Sequence, residues 1–192
     1  MQRRAVPATR RMQRATDNLR ADHRLVERAV QTLAAIADTV RDGGEFPAED
    51  CAAVLRFLRE WVLAVHMRKE DDMLAPAVAM RGDEQAAATV GELLRLREEI
   101  EELSHALVLF WEPAGDLTQT ERCGFAVTAD AMVQRLSRRQ QLEEEILFPA
   151  YDRDVPADDQ LGWLARFAQL ETDRGSRADW AARIGELADR WR

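Results

Sequence analysis

Four long stretches of the chain place apolar residues three and four positions apart. The first carries Leu19, His23, Val26, Val30, Leu33 and Ala37, and the second, from about Ala48 to Ala79, lines up Val54, Leu58, Val62, His66, Glu70 and Met73. The third carries Val90, Leu93, Arg97, Ile100, Ser104 and Leu107, and the fourth Ala129, Met132, Leu136, Arg139, Glu143, Ile146 and Leu147. This is the period of a helix with one buried face. Turn-forming residues separate the stretches: Asp42-Gly43-Gly44 with Pro47, Arg81-Gly82-Asp83, Pro113-Ala114-Gly115-Asp116, and the segment from Pro149 to Pro156. Pro47 falls at the first position of the second helix, and Thr118 with Glu121 makes a capping box for the fourth. Short loops between long helices require antiparallel neighbours. The pattern therefore predicts an all-α fold, an antiparallel up-down-up-down four-helix bundle. Trp163, Phe167 and Leu170, then Trp180, Ile184, Leu187 and Trp191, repeat the helical spacing on either side of Asp173-Arg174-Gly175-Ser176. They predict an additional C-terminal helical tail whose apolar face lies on the bundle or on a second subunit. The expected organisation is a basic N-terminal segment (1–14), the bundle (15–152) and the C-terminal helical extension (153–192).

Composition narrows the class. With 192 residues, 46% hydrophobic and 32% charged, the chain can build a core under wet helical faces. One Tyr and six Phe argue against a sheet-rich fold. No run of eighteen apolar residues exists, so no membrane span is expected. The net charge of −8 disfavours nucleic acid as a partner. Cys51 and Cys123 have no Cys or His at metal-ligand spacing and read as half-buried helix residues in a reducing cytoplasm. Arg3, Arg4, Arg10, Arg11, Arg14 and Arg20 stand against one acid, Asp17, with no apolar core for a secretory signal. A single lysine, Lys69, in an Arg- and Ala-rich chain points to base composition rather than targeting.

The candidate chemistry lies in polar residues set within the apolar stripes. His66 and Glu70 are four apart, so they stack on one helical face and can share an ion. His23 sits between Leu19 and Val26, and Glu143 between Leu136 and Leu147. Buried charge without a partner is costly, so such residues need counter-charges or a metal. Taken singly, each has an ordinary reading: a satisfied core histidine, a surface pair, a solvated acidic run. Together they fall on three helices at matching depth, and Glu70 and Glu143 each stand six residues before a proline, Pro76 and Pro149.

The segment His66-Met67-Arg68-Lys69-Glu70-Asp71-Asp72-Met73-Leu74-Ala75-Pro76 resembles the hemerythrin-like (HHE cation-binding) pattern. Leu142-Glu143-Glu144-Glu145-Ile146-Leu147-Phe148-Pro149 is similar to that family's fourth-helix ending, and Asp22-His23-Arg24-Leu25 to its first-helix motif. The resemblance spans about residues 15–152. It implies a four-helix bundle holding non-haem iron, with His23 and His66 on one ion and Glu70 and Glu143 as bridging carboxylates. Where the resemblance implies His ligands for a second ion, the chain has Arg97, with Glu101 a turn later, and Arg139. His105, two turns past Arg97, lies about 80° round the helix and is not a substitute. Arg cannot ligate a metal, but its guanidinium can stand in for the missing ion's charge.

Two alternatives stay open. In one, His23, His66, Glu70 and Glu143 hold a single iron with open positions, flanked by Arg97, Arg139 and Glu101, in a cytoplasmic sensing, storage or stress-response protein. Its ligands would be the metal and a small diatomic molecule or peroxide. In the other, Arg97 and Arg139 pair with Glu70 and Glu143, and a metal-free bundle serves as a structural or interaction module. A homodimer or a partner at the Trp-rich tail is compatible with either. Two irons are not expected, and catalysis ranks third.

Overall fold

The computed structural model describes residues 14–110, 116–174 and 176–192, with the side chains of 173 and 174 left aside. The basic segment up to residue 13, Pro113-Ala114-Gly115 and Gly175 lie outside the described residues. Among the described residues the fold is all-helical, with six helices. They are α1 (Ala15–Arg41), α2 (48–81), α3 (Glu84–Val108), α4 (119–154), α5 (Ala157–Arg174) and α6 (Arg177–Arg190). The turns expected at Asp42-Gly43-Gly44 and Arg81-Gly82-Asp83 separate α1 from α2 and α2 from α3. Gly43, at φ 85°, supplies the left-handed residue that ends α1. Thr118 and Glu121 cap α4 reciprocally, and Asp83 caps α3 through the Ala86 amide. Pro47 is the N-cap of α2 rather than its first residue.

One sequence expectation needs correction. The segment from Pro149 to Pro156 is not a turn throughout: α4 runs on through Pro149 to Asp154 and breaks only at Val155. α2 likewise continues through Pro76, as its pattern to about Ala79 predicts, and ends at Arg81. The physical reason is the same in both helices. A proline ring collides with the carbonyl four residues back, at Asp72 or Glu145, and removes one amide donor. The helix absorbs this by widening into π-type turns, Glu70–Leu74 and Glu143–Leu147, each ending two residues before its proline. A longer widened stretch, Leu58–His66, ends on His66.

The core has two apolar clusters. One gathers Val26, Leu33, Trp61, Val65, Ile100, Leu107, Phe125 and Leu136. The other gathers Leu19, Leu74, Val78, Leu93, Leu142, Leu147, Phe148 and Tyr151. Each of α1 to α4 crosses from one cluster to the other, and between the clusters lies a polar layer of His23, His66, Glu70, Arg139 and Glu143.

The tail's apolar face is used within the chain. Phe167 is buried in the second cluster, and Trp180, Ile184 and Leu187 are buried in the first, with α6 along α1 and α2. Trp163 and Trp191 are partly buried. The cysteines are not half-buried: Cys51 is fully buried, its thiol pushed up to about 12 by desolvation, and Cys123 is exposed. No helix among the described residues is long and apolar enough to cross a membrane.

Candidate metal centre

The polar layer brings His23 from α1, His66 and Glu70 from α2, and Glu143 from α4 together, with one potential ligand atom from each inside 4.8 Å of all the others. His23 Nε2 is 3.1 Å from Glu143 Oε2 and 3.5 Å from Glu70 Oε1. His66 Nε2 is 3.6 Å from Glu70 Oε1, and the two imidazoles meet edge to face at 5.1 Å. The widened turns aim both glutamates inward, and all four residues are buried.

The residues around the cluster hold its rings in place. His23 Nδ1 is hydrogen-bonded to Glu144 at 2.8 Å, Glu144 in turn accepts from Arg20, and the ring stacks on Phe148. His66 Nδ1 stands 3.5 Å from Asp22 Oδ2, an ion-pair distance without hydrogen-bond geometry. A carboxylate beside each Nδ1 leaves each Nε2 facing the glutamates. That is how imidazoles are oriented toward a bound ion.

Arg139 is the counter-ion of the layer. Its side chain is only 2% exposed; Nε is 2.6 Å from Glu143, and Nη2 is 3.2 Å from Glu70 and 2.7 Å from Asp71. A further bond to the Leu93 carbonyl fixes the guanidinium plane. Arg97 behaves differently from the expectation that it pairs with Glu70 or Glu143. It is 24% exposed and bonds Asp71 and Glu101, because Asp71 stands between it and the centre. Glu101, 43% exposed, faces the surface. His105 is exposed and away from the cluster.

The charges of the layer are interdependent. For Glu70, burial opposes ionisation, but His66, Arg139 and His23 outweigh it and hold the carboxyl well below its usual range. Glu143 goes the other way, raised by burial and by the adjacent Glu70. For His23, burial disfavours the imidazolium, yet Glu143, Glu144 and Glu70 push it up to about 12. Without an ion, a proton on His23 therefore balances the carboxylates. A metal bound there would displace it.

Whether these residues fit a metal can be judged from the atoms that lack hydrogen bonds. His23 Nε2, Glu70 Oε1 and both carboxylate oxygens of Glu143 are buried and make no hydrogen bond of acceptable geometry, although they lie at ion-pair distances. Such orphaned groups are rare in protein interiors. One potential ligand atom from each of the four residues lies within 4.8 Å of the others, and two imidazoles with two carboxylates form a donor set suited to a first-row ion. A cleft of about 480 Å³, lined by Arg20, Arg24, Gln140, Gln141 and Glu144, reaches His23 from the surface.

Several residues of the centre escape a reading of periodicity. Asp71 and Glu144 adjoin site glutamates in acidic runs that look solvated. Asp22 adjoins His23 within the quoted first-helix motif, and its proximity to a histidine was its only signal. Lys69 is distinguished in the sequence only as the single lysine.

Searches of curated proteins and of solved structures found no match. The model of the hemerythrin HHE cation-binding domain matches residues 14–151, the whole of the segment that supplies the cluster. With buried His and Glu residues converging within that match, the chain belongs to the hemerythrin family of HHE cation-binding domains.

Proposed function

We propose that this chain binds one first-row metal ion, iron foremost, at a mononuclear non-haem site of His23, His66, Glu70 and Glu143, for sensing, storage or stress response. The observation that carries the reading is the convergence of buried, unbonded donor atoms from three helices. Charge supports it. Glu70, Asp71, Glu101 and Glu143 face Arg97 and Arg139, four negative groups against two positive, and a divalent ion brings that sum to zero. In this reading Arg139 supplies the charge of a second ion, and Arg97 steadies it through Asp71.

When bound, the ion would supply redox exchange and an open position for a small diatomic molecule or peroxide. The chain's own residues supply the rest. Glu144 and Asp22 orient the imidazoles, the two apolar clusters exclude water from above and below, and the cleft beside His23 gives entry. The architecture in this reading is an up-down-up-down bundle. Its support is that α1 and α3 run from the second apolar cluster to the first, while α2 and α4 run the opposite way. A cytoplasmic setting accords with two free thiols. The tail's Trp180 lies against the bundle, so a partner there would have to use other surface.

A second reading, a metal-free interaction module, draws on the ion pairs of Arg139 and on the protonated His23, which together satisfy much of the layer's charge. The two separate on melting. At an Fe(II) concentration a hundred times its dissociation constant, the metal reading expects about 2.7 kcal/mol of added stability, removed by chelator. A melting temperature that neither iron nor chelator moves would favour the metal-free module.

A further inference from the structure

Lys69 is buried to zero exposure on the same helical turn as Glu70, yet it points away from the cluster. Its ammonium lies over the faces of Trp61 and Phe167. All three of its donors are used: Asp22 at 2.7 Å, Glu171 at 2.7 Å and Asn18 at 3.2 Å. Asp22 is fully buried as well; its Oδ2 bonds Lys69 and lies 3.5 Å from His66 Nδ1. Its other oxygen accepts from Arg177, and Arg177 also bonds Glu171 at 3.1 Å. Two acids and two bases from four helices thus close a neutral ring one contact behind His66. Half of that ring, Glu171 on α5 and Arg177 on α6, lies beyond the segment matched by the family model.

We infer that α5 and α6 are part of the metal centre: Glu171 and Arg177 fix the Lys69–Asp22 pair that orients His66, so affinity for the ion depends on these helices staying docked. The inference rests on the reading that His66 is a metal ligand. Its logic is that of a buried ring of charges. With Glu171 neutral, Lys69 draws harder on Asp22; with Arg177 gone, Asp22 is left to Lys69 alone. Either change moves the carboxylate that His66 faces. Glu171 and Arg177 are positioning residues, since neither reaches the cluster.

The test is titration of the full-length protein with Co(II), followed by its visible absorption bands. Glu171→Gln and Arg177→Met are expected to weaken binding about tenfold or more, the usual loss when a ligand's orienting partner is removed, and to shift the bands. Arg177→Lys is expected to keep both near wild type, which loss of packing alone would not predict. Linkage supplies a reciprocal measurement that needs no variant: Co(II) should slow amide exchange across Ala157–Arg174 and Arg177–Arg190. Wild-type affinity and spectrum in both charge-removing variants would overturn the inference while leaving the metal site standing. If a variant does not fold, unchanged exchange in the wild type would overturn it equally. A wild type that takes up no Co(II) would overturn both readings together.

Discussion

His66→Ala is expected to lower metal affinity by more than about a hundredfold, so that the purified variant holds essentially no ion. Orienting partners of metal ligands are already worth 10- to 100-fold, and a ligand itself is worth more. His66 is buried, its Nε2 faces Glu70, and no other histidine is near enough to replace it: His23 already belongs to the cluster and His105 is exposed. The fold should survive, because the two apolar clusters on either side of the layer do not depend on the imidazole. Plasma mass spectrometry checks metal content, and far-ultraviolet circular dichroism checks the helices. Metal content equal to wild type in a folded His66→Ala protein would rule this ligand set out.

Arg139→Met is expected to destabilise the metal-free protein by about 3–5 kcal/mol, the range for stripping one partner from a buried ionic network. For a chain of this size that lowers the melting temperature by about 6–20 °C. The sulfur side chain fills much of the volume, so the loss is mainly electrostatic. Glu70, Asp71 and Glu143 lose the guanidinium that all three contact. A bound divalent ion faces two of those same carboxylates, so the penalty should shrink in metal-loaded protein. Denaturant unfolding with and without metal measures both quantities. A loss under about 1 kcal/mol, a surface-pair value, would show that the carboxylates do not depend on Arg139.

Much of this architecture is legible in the order of side chains because helices bury one face with a fixed period. Leu19, Val26 and Leu33 on α1, or Leu93, Ile100 and Leu107 on α3, announce both the helix and the face it buries. His23, His66, Glu70 and Glu143 are legible for the same reason, being polar residues where the period calls for apolar ones. Periodicity misleads where the helix is not a regular α-helix. Pro149 looks like a terminator, yet π-type widening carries α4 past it, as it carries α2 past Pro76. It also misleads at Arg97, whose position on the stripe points inward while Asp71 holds its guanidinium at the flank. Asp71, Glu144 and Asp22 are invisible to it because an acid beside a site residue looks the same whether it faces water or a buried cation. Lys69 is harder still. Its partner Glu171, and Arg177, which joins it through Asp22, lie more than a hundred residues downstream, and only the docking of α5 and α6 brings them there.

The most direct test of a single-ion centre is metal content per chain, measured by plasma mass spectrometry on protein expressed with added iron and purified without chelating resin. The account predicts about one ion per chain, held by two imidazoles and two carboxylates beside a guanidinium. About two ions per chain would contradict it, since Arg139 would then not stand in for the second, and a chain that retains none under these conditions would contradict it outright.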